Sequence, residues 1–253
     1  MSGVWNGLFR TVRRVMHEPL GALGLFLVVF VLISAVGADW WATHEPNQIN
    51  VRAAFASPSL EHFLGTDQLG RDIFSRVLIG GRIALKVSLI SIGVALLIGL
   101  TLGLIAGFGP RWVDNILMLL FDSVRSFPTV MFALAVVTLF GPSLVTIMVI
   151  VIVTQIPIYG RMVRSQTLAL KNSEFILTER AMGAGFFRII IVHMLPNVIG
   201  PLLILASMDI PFVITIEAGL SFLGMGVRPP TPSWGTILND GYSYIYNSPW
   251  PVI

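Results

Sequence analysis

Catalysis would need nucleophiles, bases or a phosphate cradle at workable spacings, and this sequence offers few of them. His17, His44, His62 and His193 show no metal-ligand spacing, and none stands beside a serine and an acid that would make a nucleophile. No catalytic residue and no metal ligand is therefore assigned. Gly80-Gly81-Arg82 has neither the spacing nor the lysine of a phosphate-binding loop, so ATP-driven work would draw on another chain. Two other groups of residues carry charge where charge must mean something. Asp209 and Glu217 lie within an apolar run, where a carboxylate is costly and turns to a bundle interior or a water-filled path. The second group is the segment 171–196, with Lys171, Glu174, Glu179, Arg180 and Arg188, whereas the longer stretch from Phe127 to Val163 holds the single charge Arg161.

That contrast places 171–196 outside the bilayer. Asn172 and Ser173 can cap a helix start, and Gly183-Ala184-Gly185 can end that helix, because glycine accepts the left-handed conformation of a C-terminal cap. A second short helix then runs from Phe186 to Leu195 and meets Pro196. Two helices with a glycine bend, tied at both ends to apolar spans, form a surface module suited to docking a partner and passing on its movement.

Apolar residues make up 55% and charged residues 11% of 253. A soluble domain has about 25% charged residues, so the expected class is an all-α membrane protein. The formal net charge is +3, yet no basic run with interleaved aromatics points to nucleic acid. Cysteine is absent, which excludes disulfides and thiolate metal sites. Leu20 to Ala38 is an uncharged apolar run behind Arg10, Arg13 and Arg14, read as a first span rather than a secretory signal, whose apolar core is usually only ~7–15 residues. Further spans are expected at Ile83–Phe108, Ile116–Phe140 with a bend at Pro128, Leu144–Tyr159 and Asn197–Phe222 with bends at Pro201 and Pro211; Trp250-Pro251-Val252-Ile253 resembles the start of a sixth. Gly99, Gly103 and Gly107 form a small-residue stripe for close helix packing, favoured within this subunit. Asp122 and Arg125, three apart, can pair. The polar segment 39–81 has acids in excess, and its Gly65-Thr66-Asp67 and Gly70-Arg71-Asp72 clusters read as turns. With Arg161, Arg164, Lys171, Arg180 and Arg188 against Glu174 and Glu179, residues 161–196 are expected on the cytoplasmic side, as is the N-terminus.

The core Arg180-Ala181-Met182-Gly183, followed by Leu195-Pro196-Asn197, resembles the cytoplasmic coupling loop of ABC-importer permeases. From His62 to Pro249 the chain resembles the second permease subunit of the dipeptide/oligopeptide/nickel importer family, through Leu64-Gly65-Thr66-Asp67, Gly70-Arg71-Asp72, Ser221-Phe222-Leu223-Gly224 and Pro229-Pro230-Thr231-Pro232-Ser233-Trp234-Gly235. Leu177-Thr178-Glu179 stands where the family has Glu-Ala-Ala, so the signature acid is missing. The resemblance implies a helical bundle of about six spans, the sixth cut short, in a bacterial inner membrane, with residues 1–61 preceding a permease domain at 62–253. It implies ATPase-coupling residues Glu174, Glu179, Arg180, Ala181, Gly183, Gly185, Leu195 and Pro196. It also implies a second homologous permease, two ATP-binding subunits that hold ATP and Mg, and an extracytoplasmic solute-binding protein, with lipid around the spans and no cofactor in this chain. Glu217 matches a family glutamate and is read as bonded to backbone or to the partner permease rather than to solute; Asp209 matches no family position. Peptide is the default cargo. The alternative is an ion- or proton-coupled secondary transporter using Asp209 and Glu217, for which inverted repeats are lacking.

Overall fold

A computed structural model describes residues 13–253, so Arg10 lies outside the described residues. Among these residues the regular structure is helical, with an isolated bridge between Thr66 and Asp72. The main helices are α1 Pro19–Val36, α2 Ile73–Phe108, α3 Arg111–Arg125, α4 Thr129–Phe140, α5 Leu144–Lys171, α6 Glu174–Ala181, α7 Phe186–Phe222 and α8 Trp234–Ser243. Among them α1, α2, α5 and α7 are each long and apolar enough to cross a membrane, and α3 with α4 makes a further span if that bent pair is counted as one. Two compact units form, one from the described residues up to Ile83 with Asp240–Ile253, the other from Ala84–Asn239.

In the first unit the polar segment before α2 is held by aspartates, as turn chemistry dictates. Asp67 Oδ1 accepts from the backbone N–H of Leu69 at 2.9 Å and of Arg71 at 3.0 Å, while Asp72 caps α2 by accepting from Ser75 N–H at 2.8 Å. Arg71 donates to Asp67 at 2.6 Å and to Asp240 at 3.2 Å, fixing α8's last turn to this segment. Arg82 reaches the end of α1, donating to the carbonyls of Ala35 and Val36 at 2.8 and 3.2 Å and to Asp39 at 2.8 Å. A cation at these orphan carbonyls satisfies them and complements the helix dipole.

The second unit is built on α5. Gly99, Gly103 and Gly107 of α2 lie against it so closely that a Cβ on each would come within 2.6 Å of Tyr159, of the Gly160 carbonyl and Val163, and of Thr167, respectively. Ile147, Ile150, Val151 and Val163 of α5 are fully buried.

Several boundaries differ from the sequence expectation. The second span starts at Ile73 rather than Ile83. The bend expected at Pro128 is present as a full break: α3 and α4 meet at 84°, because Pro128 removes a donor and disfavours helix at Phe127. The fourth does not stop at Tyr159 but runs to Lys171, since the charges after it can be met by α3. This extension corrects the Asp122–Arg125 pairing: Arg161 of α5 takes Asp122, and Arg164 takes Asp114 with Nη2 to Oδ2 at 2.6 Å. The short helix beginning at Phe186 does not end at Pro196. A wide-turn stretch, Ile189–Met194, carries it into the fifth span, and Pro196 falls in the first turn of the resumed α-helix, where a missing N–H costs nothing. Pro157, Pro201 and Pro211 all sit inside continuous helices. The segment 224–249 contains α8, and 250–252, where a sixth span was expected to start, form a turn.

Candidate functional site

The charged segment folds as a helix with a closed C-terminal cap. Gly183 sits at φ +85°, its N–H bonds the Arg180 carbonyl at 3.0 Å, and Ala184 N–H bonds the Glu179 carbonyl at 2.9 Å. This is the Schellman pattern, and glycine supplies the left-handed residue it requires. Capping at the other end differs from expectation. Ser173 occupies the cap position, but its hydroxyl donates back to the Leu170 carbonyl at 2.6 Å instead of accepting from α6.

One face of α6 is fastened to its neighbours. Ile176 packs with Ile189 and Met194 in a small buried core flanked by Phe108, Leu170, Ala184 and Ile190. Phe108, the last residue of α2, is the hub. Lys171 Nζ lies 5.3 Å and the Arg180 guanidinium 5.0 Å from its ring centroid, and Phe186 meets it edge-on at 5.1 Å. Lys171 also donates to the Phe108 carbonyl at 3.2 Å, closing the end of α2. The ends of α2, α5 and α7 thus converge on α6. Phe175, Leu177 and Met182 remain exposed, Met182 at 70%.

Glu179 lies 3.4 Å from His193 Nε2, which makes an ion pair when the imidazole is protonated. Glu174, Arg180, Ala181, Gly183 and Gly185 are exposed, Leu195 is half-buried, and Pro196 is exposed. The structure therefore gathers these residues on one small module. Sequence spacing gave no sign of Phe108, which looks like any span-ending aromatic.

Asp209 and Glu217 are not brought together. Glu217 is fully buried and accepts from Ser221 Oγ at 2.7 Å, and Val227 N–H donates to the same hydroxyl at 3.2 Å. The loop after α7 packs over it, and a Cβ on Gly226 would fall 2.0 Å from Ser221 Oγ. Glu217 therefore closes a turn of its own chain. Asp209 lies near the hydroxyl of Tyr159 on α5 without a hydrogen bond between them.

The histidines, unpromising along the chain, are partly assembled in space. His44, His62 and Asp72 each offer a ligand atom, all within 4.8 Å of one another. Burial works against the charge on Asp72, but hydrogen bonds from Ser75, His62 and Thr43 hold its carboxyl below the usual carboxylate range.

Residues 99–253 match the family model described as binding-protein-dependent transport system inner membrane component. A dipeptide transport system permease protein, DppC, of Alkalihalophilus pseudofirmus is 35% identical over 98% of this chain and 81% of its own length. A glutathione transport system permease protein, GsiD, of Pectobacterium atrosepticum is 38% identical over 97% of this chain and 81% of its own. Among solved structures, a chain of the MetNI methionine ABC transporter in inward-facing conformations shares the fold, with a TM-score of 0.56 at 20% identity over 69% of this chain and 81% of that one. These relatives favour the ABC reading over an ion-coupled transporter. The chain belongs to the family of inner-membrane permease components of binding-protein-dependent ABC importers.

Proposed function

We propose that this permease moves small peptides inward, driven by separate ATP-binding subunits that press on residues 171–196. The cargo class rests on the relatives named for dipeptide and glutathione transport, glutathione being itself a small peptide. Two ATP-binding subunits supply ATP and Mg chemistry, a second homologous permease completes the path, and an extracytoplasmic solute-binding protein delivers cargo. The N-terminus and 161–196 lie in the cytoplasm, in keeping with the excess of Lys and Arg there.

The observation that carries this reading is the build of α6: closed by a Schellman cap, exposing Phe175, Leu177 and Met182 among polar neighbours, and clasped by residues from the ends of α2, α5 and α7. A push on Phe175, Leu177 and Met182 would displace those three ends together, as a two-state switch requires. The test is Gly183→Val in proteoliposomes holding the full transporter. A valine at positive φ costs roughly 1–2 kcal/mol and opens the cap. Assembly should persist while peptide uptake falls about tenfold, the factor that 1.4 kcal/mol represents, and Gly183→Asn should recover part of it. Unchanged uptake in Gly183→Val would refute the coupling role.

A further inference from the structure

We propose that His44, His62 and Asp72 form a binding site for one divalent transition cation of the zinc or nickel type. The proposal stands on the first compact unit alone and is independent of the transport reading. The three side chains come from separate stretches: the strap after α1, the loop before Gly65, and the cap of α2. Asp72 Oδ1 lies 2.9 Å from His62 Nδ1 and 3.9 Å from His44 Nδ1. The shorter of these is a hydrogen bond that an ion would replace, and all three ligand atoms lie within 4.8 Å of one another, so side-chain rotations bring them to the about 3.4 Å spacing of a tetrahedral site with ~2.1 Å bonds. Two imidazoles with one carboxylate is a donor set for borderline cations rather than for calcium or magnesium.

The ligands are held in place from outside. Asp72 is fully buried at its side chain, and its other oxygen, Oδ2, is already engaged by Ser75 N–H at 2.8 Å, Ser75 Oγ at 2.7 Å and Thr43 Oγ1 at 3.2 Å. Oδ1 is thereby turned toward the imidazoles. The His44 backbone N–H donates to Ser75 Oγ at 3.1 Å, and the two imidazole rings lie 4.5 Å apart. Such outer contacts are what orient metal ligands. The site opens into a polar cleft of about 220 Å³ whose lining includes Glu45 and Glu61, acids that favour cation entry and leave room for a water ligand. A purely structural role for Asp72, as helix cap, needs neither the second histidine nor the cleft.

The experiment uses tag-free full-length chain in detergent, stripped with chelator, then equilibrated with buffered free zinc ion. Retained zinc is read by elemental analysis and by the shift in thermal midpoint. Wild type should keep about one zinc per chain and unfold at a higher temperature with zinc than without. His44→Ala leaves the Asp72 cap and the His62–Asp72 bond intact, so it should match the zinc-free midpoint of wild type. Its zinc affinity should fall by more than the roughly 10–100-fold that disturbing an outer partner costs. His62→Gln should lose zinc too, and His193→Ala should not. A wild type that keeps no zinc, or equal retention in His44→Ala, would overturn the proposal.

Discussion

Removing the Phe108 ring would take away a surface shared by Lys171, Arg180 and the edge of Phe186, while the buried trio Ile176, Ile189 and Met194 stayed in place. Each cation–ring contact is worth about 0.5–1 kcal/mol at such a partly exposed position. Phe108→Leu keeps most of the apolar volume and loses the ring's negative face, so the cost falls on the clasp rather than on the fold. In the assembled transporter, cargo-stimulated ATP hydrolysis should drop several-fold with Phe108→Leu and stay near wild type with Phe108→Tyr; equal rates in both variants would remove Phe108 from the coupling path. At this scale the sequence was partly legible. Gly183 could be picked out because its position demands a left-handed residue, and Asp67 and Asp72 because aspartates in glycine turns bond nearby backbone N–H groups, although Asp72 as the cap of α2 was missed with the span expected to start at Ile83. Phe108, Tyr159 and the His44–His62 pair could not. Their roles come from approaches between residues far apart along the chain, and no local propensity encodes those.

Helix packing obeys the same division. The stripe Gly99, Gly103 and Gly107 announces a close approach, and the neighbour it approaches is α5 at Tyr159, Gly160, Val163 and Thr167. Gly93 lies on the same helix with nothing near the place a Cβ would occupy. The two positions should respond in opposite directions. Gly103→Ala would drive a methyl to 2.6 Å from the Gly160 carbonyl, forcing the helices apart at a cost of about 1–3 kcal/mol. Gly93→Ala meets no neighbour and gains up to about 1 kcal/mol of helix propensity. Thermal unfolding in detergent should rank Gly93→Ala at or above wild type and Gly103→Ala below it; the same midpoint for both would mean that α2 and α5 are not in contact there. Helix ends were less legible than helix faces. Lys171 and Arg161 read as residues outside the membrane, yet α5 continues through both, because Asp114 and Asp122 on α3 neutralise Arg164 and Arg161 and make the extension stable. Pro196 read as a stop, yet the wide turn before it carries the chain through.

For the molecule as a whole, the number of crossings decides whether the proposed coupling can work. From Leu60 to Met182 the chain passes α2, the bent pair α3 and α4, and α5. If the bent pair is a full crossing, three passages put Leu60 and Met182 on opposite sides; if it dips in and returns, two passages put them on the same side. An importer with its binding protein outside and its ATPases inside needs the strap around Leu60 on one side and α6 on the other. The bend of 84° alone does not choose, but basic residues favour a crossing: Arg111 and Arg125 stand at the two ends of α3, and Arg161 and Arg164 of α5 pair with Asp122 and Asp114 of that helix, whereas the α4–α5 turn at Gly141-Pro142 carries no charge. By the positive-inside rule the two ends of the pair are expected on opposite faces. The native chain has no cysteine, so single replacements at the exposed positions Leu60, Met182 and Tyr246 report without background. In intact cells a membrane-impermeant maleimide should label Leu60→Cys and Tyr246→Cys and spare Met182→Cys, and in inverted vesicles the pattern should reverse. Labelling of Leu60→Cys and Met182→Cys from the same face would make the bent pair re-entrant and leave α6 with no ATPase to meet.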